Sequence, residues 1–400
     1  MAFRFTHETA VRAHRARTAV FVVFTLAGLG FAAVASRIPD IRDVFEVSPG
    51  QLGVILLSLS VGSVLGLPAA GPLAARLGQA NAVRLGLIVA GLGLSTVAAA
   101  VQLVAPRPVL MLGMFLSGLG IGVWDVAMNI EGAAVERALT RTIMPHFHAA
   151  FSAGTVMSAL AGAGLSHLGI PVAAHLASVV LIIVAVGLYA TRAFLPRTAA
   201  ERVAAQALAS APAHRSPWTE PRTLLIGVLV LCAAFTEGTA NDWLAVALVD
   251  GYGLSNAAGV VALAVFLSFM TAGRILGARW LDRHGRIAVL RVLFVVAAVG
   301  AALVIFGGST LAFVGAALWG LGASLGFPVG MSAAADDEDG AAMRISVVAT
   351  IGYLAFIAGP PLLGFLGEHI GVLRSLTVVG ALALLALVVL PAAREPERAP

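Results

Sequence analysis

Within the stretch GVWDVAMNIEG, residues 122–132, Asp125 and Asn129 stand four apart. On a helix that spacing puts both side chains on one face. From Pro108 to Gly132 the other strongly polar side chains are Glu131 and Ser117. A carboxylate set centrally in so apolar a helix costs roughly 3 kcal/mol on insertion scales. An acid kept there is expected to face a wet cavity, where it can load and release a proton. The next apolar run opens with His148 and Ser152, which the helical rise brings to a similar depth. Desolvation favours the neutral form of a carboxyl group, and a nearby imidazole can exchange charge with it. Asp125 and His148 are therefore expected to handle protons, and Asn129 and Ser152 to offer polar contacts to a solute. The competing reading makes Asp125 a hydrogen-bonded residue between helices.

A second constellation is EGTANDW, residues 237–243. Glu237 falls near the middle of its apolar run, with Asn241 one turn on along the same face. It is read as a substrate-binding or a proton-coupling group. Asp242 and Trp243 are expected to point elsewhere around the helix. Trp243 and Trp124 suit stacking on a ring-shaped or sugar-like solute, against plain apolar contact; Tyr353 is a further expected contact for the solute. In SRIPDIRD, residues 36–43, Arg37 and Asp40 read either as an outer gate pair or as a solvated helix end, with Pro39 ending the regular helix. Glu131 is expected to pair with Arg137 or Arg141, or to cap helix contacts.

The elements that must carry these residues are set by composition. The 400 residues are 60% hydrophobic and 11% charged, where a soluble domain carries about 25% charge. That deficit runs the whole length and predicts a polytopic membrane protein. Spans of about 20 apolar residues fall at 18–38, 51–71, 82–104, 108–133, 146–167 and 172–195, then at 222–249, 256–279, 287–307, 309–334, 342–367 and 371–391. The predicted plan is an N-terminal six-helix bundle over 1–195, a cytoplasmic linker over 196–221 with four prolines, and a C-terminal six-helix bundle over 222–400. Every basic residue outside the histidines is arginine. With both termini cytoplasmic, only Arg37, Arg42, Arg107 and Arg374 fall near the outer face, as the positive-inside rule requires. Ala33-Val34-Ala35 resembles a signal-peptidase site, yet the many spans that follow favour an uncleaved first helix. The lone Cys232 leaves redox compartment unreadable.

The two bundles repeat one another. At an offset of 207, Asp43 matches Asp250, Gly66 matches Gly273, Arg76 matches Arg283, Gly78 matches Gly285 and Arg84 matches Arg291, the mark of parallel-repeat transporters. This six-plus-six plan resembles the major facilitator superfamily over nearly the whole chain. The resemblance implies an all-α membrane protein of twelve transmembrane helices in two pseudo-symmetric bundles. It implies a cavity lined mainly by helices 1, 4, 7 and 10. The family's loop motif GxLaDRxGRK is present as GPLAARLGQA (71–80), where Ala75 replaces its aspartate and Gln79 its following arginine. In ARWLDRHGR (278–286) Asp282, Arg283, Gly285 and Arg286 are kept. The aspartate of such a loop can accept from a helix amino end or an arginine and so latch one state. Gating is thus expected from Arg76 and Gly78, and more from Asp282, Arg283, Gly285 and Arg286. The segments WDVAMNIEGAAVE, HFHAAFSAG, EGTANDWLAVALVD and GYLAFIAGPPLLGFLGE are similar to a fucose-permease-like, orphan sugar-permease-like branch.

Two drug-antiporter signatures are missing. The family's helix-4 arginine would fall at Met114, and the helix-5 glycine–proline motif is absent from FSAGTVMSALAGAG. LWGLGASLGFPVG (318–330) and the GPP at 359–361 read as bending parts, and the acidic run 336–339 as a solvated turn. No phosphate-cradling loop, CxxC pair, HExxH or nucleophile elbow is present, so no cofactor and no enzyme activity are expected. The chain reads as a secondary transporter of a small solute, proton-coupled, with symport favoured. The alternatives are proton-coupled export of a drug or metabolite, and a non-transporting receptor on the same fold. Its expected setting is the inner membrane as a multi-pass protein, a monomer whose partners are solute, protons and lipid, without nucleic acid.

Overall fold

A run of apolar residues in a bilayer can satisfy its backbone only by hydrogen-bonding within one helix or closing a barrel. The computed structural model takes the first course. It describes residues 2–139, 143–196, 217–336 and 341–395; among these no strand occurs, and 12 helices are long and apolar enough to cross a membrane. The first six are α1 (Val11–Phe45), α2 (Pro49–Leu77), α3 (Gln79–Leu103), α4 (Arg107–Leu139), α5 (His146–His167) and α6 (Val172–Ala193). The second six are α7 (Pro221–Tyr252), α8 (Asn256–Gly277), α9 (Arg279–Phe306), α10 (Gly308–Ala334), α11 (Met343–Ile370) and α12 (Val372–Ala393). Most of the linker expected at 196–221, and residues 337–339 of the acidic run, lie outside the described residues.

The helices gather into two compact units, Met1–Phe45 with Ser58–Pro212, and Glu46–Leu57 with Ala213–Pro400. The short segment Glu46–Leu57 joins the second unit through bare backbone. The Gly50 N–H donates to Glu368 Oε2 at 2.9 Å, and a Cβ on Gly53 would sit 2.5 Å from the Pro360 carbonyl oxygen. Lipid tails are as apolar as leucine, so helices associate by close packing of small residues rather than by leaving water. In the first unit α5 lies along α1, and α3 packs on α4 and α6. A Cβ on Gly120 of α4 would stand 2.2 Å from Ala90 N of α3, so backbone meets backbone there. In the second unit α7 packs on α11, and α8 and α9 on α10.

The repeat is written in the backbone. Gly78 turns α2 into α3 at φ 85, ψ 158, and Gly285 breaks the α8–α9 run at φ 74, ψ 163. That region is open essentially to glycine alone.

Several helices are interrupted where residues predict it, or close by. α1 breaks at Ser36–Arg37 and resumes at Ile38, so Pro39 sits in the first turn of a new helix rather than ending the old one. α10 breaks at Ser324–Leu325. α7 holds a π-helical turn over Ala240–Leu244. α11, by contrast, stays helical through Pro360 and Pro361.

Candidate functional site

In the first unit Asp125 sits partly accessible on α4. The Asn129 amide folds back on it, donating to the Asp125 carbonyl oxygen at 2.8 Å and reaching Asp125 Oδ1 at 3.4 Å. The two side chains do share a face. His148 is exposed near the start of α5, with its ring edge-on to Phe24 at 5.4 Å. Ser152 is buried where α5 meets α1, so the solute contact expected of it has no open surface here. Trp124 is 1% exposed and lies over the bare backbone of Gly86 on α3. The indole is thus buried where α4 packs on α3, with no open surface for the stacking expected of it. Glu131 is fully buried and accepts from the Leu195 N–H at 2.7 Å, beyond the end of α6. The reading missed Glu136: its Oε2 accepts from the Ile143 and Met144 N–H groups at 2.6 and 2.7 Å, capping the amino end of α5. A glutamate a short loop ahead of Met-Pro was the available signal.

Arg37 and Asp40 do pair. Arg37 Nε lies 2.9 Å from Asp40 Oδ2, an ion contact rather than an aligned hydrogen bond. Arg37 also donates to the Ile170 carbonyl, and Ser166 donates to Asp40 Oδ1 at 3.0 Å. The cluster ties α1 to the turn between α5 and α6, and the guanidinium is buried, not a solvated helix end.

In the second unit Glu237 is not a lone carboxylate. Arg274 of α8 reaches both its oxygens through one nitrogen, Nη2, at 3.0 and 2.9 Å, and Arg274 Nε donates to the Ser324 carbonyl oxygen of α10 at 3.3 Å. Pro328 has no N–H to give to residue 324, so the proline of α10 frees the very carbonyl that the arginine takes. Charge sorting along the sequence had placed Arg274 with the cytoplasmic arginines; the structure makes it an intramembrane partner.

The π turn that follows changes which residues line up. A π turn bonds residue i to i+5, admitting one extra residue where an α-helix bonds i to i+4. Asn241 is buried, its Oδ1 without a hydrogen bond, while Asp242 lines a cavity with Thr239 and Trp243. Asp242 and Trp243 thus share a wall that neither Glu237 nor Asn241 lines, as expected of residues pointing elsewhere around the helix. Trp243 is fully buried, and Tyr353 of α11 sits partly exposed with its ring 6.2 Å from Phe356.

The gating residues divide. Arg76, Asp282 and Arg283 are exposed, and among the described residues Asp282 makes no ion pair. Arg286 instead pairs with Asp336 at 2.8 Å, and Arg222 of α7 meets the same carboxylate at 2.7 Å. Asp336, expected in a solvated turn, has a 5% exposed side chain between two guanidinium groups. Burial alone raises its carboxyl, but the hydrogen bonds and charges of Arg286 and Arg222 outweigh that and hold it below the usual range. Glu220, just ahead of α7, is likewise held low by Arg344 and then by the Thr223 hydroxyl. Among the described residues no three His, Cys, Asp or Glu converge to hold a metal.

Comparison with known proteins places these features. The family model described as Major Facilitator Superfamily matches residues 20–337 and 257–400. An uncharacterized MFS-type transporter of Yersinia pestis is 33% identical over 384 residues, covering 94% of each chain. Among solved structures, the nucleoside transporter NupG superposes with a TM-score of 0.73 at 14% identity, over 96% of this chain and 98% of that one. The fucose:proton symporter FucP of E. coli does so with a TM-score of 0.62 at 16% identity, over 95% and 98%.

Proposed function

The chain belongs to the Major Facilitator Superfamily, and on that premise we propose that it is a proton-coupled symporter of a small polar solute, working by alternating access. The observation that carries the proposal is Asp125. It is a carboxylate inside a membrane-spanning helix, and among the described residues it has an Asn129 amide beside it and no ion pair. Intramembrane acids without a cation partner are expensive to keep and mark proton or substrate pathways. Taking up a proton neutralises Asp125 while the carrier changes state, so that no bare charge crosses an occluded step. His148 and Asn129 are assigned to the proton and solute path around it, and Asn241 to the solute contacts of the second unit.

Glu237 with Arg274 serves as the polar anchor of the second unit. Solute hydroxyl or carbonyl groups compete for the guanidinium donors, and the freed glutamate accepts a proton or a solute hydroxyl. The names of the structural neighbours favour sugars and nucleosides as first probes.

The test is uptake into proteoliposomes of fucose and of a nucleoside panel, with an inward proton gradient and with the gradient collapsed by a protonophore. Wild-type protein is expected to concentrate a solute only with the gradient, and Asp125→Asn to lose that drive while keeping its fold. A mutant that retains wild-type pH dependence removes Asp125 from the mechanism. If solute addition acidifies the wrong side of the membrane, the protein exports.

A further inference from the structure

The π turn of α7 brings a second acid, Asp242, into a small cavity of about 10 Å³ between α7 and α11, with room for about one water molecule. Two polar side chains of its wall, each at least nine-tenths buried, have no hydrogen-bond partner. Thr239 Oγ1 is 4% exposed and unsatisfied, and Trp243 Nε1 is fully buried and unsatisfied. A buried donor or acceptor left unmade is costly, so two at one cavity point to an occupant. The opposite wall is apolar, formed by Ala355, Phe356, Gly359 and Pro360.

Among the described residues no other ionisable side chain lines this cavity. On α7 itself, Glu237 is held by Arg274, and Arg222 and Asp250 lie toward the helix ends. Of the helices packed on α7, α10 carries no ionisable group along its length, and α8 carries Arg274 alone. α11 offers Tyr353 about a turn from the wall, with Arg344, Glu368 and His369 toward its ends; α12 has Arg374 at its start. The ionisable groups of α9 fall between Arg279 and Arg291. Among the described residues Asp242 makes neither an ion pair nor a hydrogen bond.

We infer that Asp242, with one cavity water as relay and the unsatisfied Thr239 hydroxyl on the same wall to hold that water, is a proton-binding site of the second unit, separate from the Glu237–Arg274 pair. This rests on the proton-coupled reading above. The step is a reversible protonation: an O–H bond forms on the carboxylate as one breaks on the relay water, which takes a replacement proton from solvent water, and no electrons change hands. Neutral, Asp242 donates to the cavity water; charged, it accepts from that water, which the Thr239 hydroxyl is placed to hold. One carboxylate and one hydroxyl fall short of the oxygen shell a hard metal cation requires.

Infrared difference spectra of the purified full chain, recorded across pH without added solute, test this independently of transport. Wild-type protein is expected to show a protonated-carboxyl C=O band that bleaches as pH rises. Asp242→Asn is expected to lose that band, Asp125→Asn to keep it, and Thr239→Ala to keep it at a shifted frequency. Should Asp242→Asn fail to fold, Asp242→Glu is expected to retain a titrating band with a displaced midpoint, and its absence overturns the site. A spectrum unchanged by Asp242→Asn, or a band that follows sodium at fixed pH, also overturns it. Loss of the band in Asp242→Asn alongside pH-insensitive uptake by wild type would leave the site standing and sink the coupling reading instead.

Discussion

The Glu237–Arg274–Ser324 chain is a set of mutual obligations at single residues. Each member satisfies a group that would otherwise be stranded: a carboxylate, a guanidinium and a carbonyl freed by Pro328. Removing one partner of a largely buried ion pair leaves an uncompensated charge, and such losses run to about 3–5 kcal/mol. Both side chains here keep some exposure, so the lower end is expected. Arg274→Ala should therefore cost about 3 kcal/mol of stability in detergent thermal unfolding. Combining it with Glu237→Gln should restore much of the loss, because the stranded charge is gone. If the double variant is merely the sum of its parts, the pair carries no coupling energy. The sequence made Glu237 visible through its depth in an apolar run. It hid Arg274, because an arginine near the end of a span reads as one more interfacial charge until its partner is located in space. The π turn was equally hidden, since nothing in the composition of ANDWL separates it from an ordinary α-helical turn.

At the scale of elements, glycine spacing decides how close two helices come. Gly120 faces Ala90 backbone so tightly that a Cβ would meet nitrogen at 2.2 Å, whereas Gly71 on α2 has open space around it. Gly120→Leu should force α3 and α4 apart and cost about 3 kcal/mol or more, as overpacked sites do. Gly71→Ala should be neutral or slightly stabilising, through its higher helix propensity. Thermal melts of the two variants check this; equal behaviour would mean the α3–α4 contact is not set by its glycines. Such contacts explain why span positions were legible and pairings were not. Hydropathy alone marks a span, because every residue facing lipid must be apolar. Which helix lies on which depends on the three-dimensional match of small residues. The exchange of Glu46–Leu57 into the second unit is a case of this: Gly50 and Gly53 are unremarkable in sequence and decisive against Pro360 and Glu368. Gly285, where φ is 74, was legible as the repeat partner of Gly78. Gly285→Ala should cost about 1–3 kcal/mol by forcing a side chain into a glycine-only region.

Over the whole molecule, charge is scarce, so the few ion clusters carry disproportionate weight. Repeat spacing and arginine sorting made the two-bundle plan readable, while the pairing of Arg222, Arg286 and Asp336 was not. Asp336 stands 114 positions from Arg222 and 50 from Arg286, and an acid in a Gly-Ala turn looks solvated. That cluster gives the chain a defined acid response. Asp336 is held below its ordinary value of 3.8 by Arg286 and Arg222 despite burial, and Glu220 below 4.5 by Arg344. When a folded carboxyl binds protons less readily than the unfolded one, its stabilisation is complete above the unfolded value and is lost as pH falls through the folded one. Thermal midpoints should therefore be level from neutral pH down to about 5 and should fall below about 4. Asp336→Asn removes the carboxylate shared by two guanidinium groups and leaves Arg286 only its 3.4 Å contact with the exposed Glu395, so its midpoint should lie below wild type at neutral pH. As pH drops, wild type protonates Asp336 and loses the same counter-charge, so the gap between the two proteins should narrow. A gap that stays constant from pH 7 to about pH 3 would show that Asp336 acts by packing rather than by charge, and that this end of the second unit is not held by its arginines.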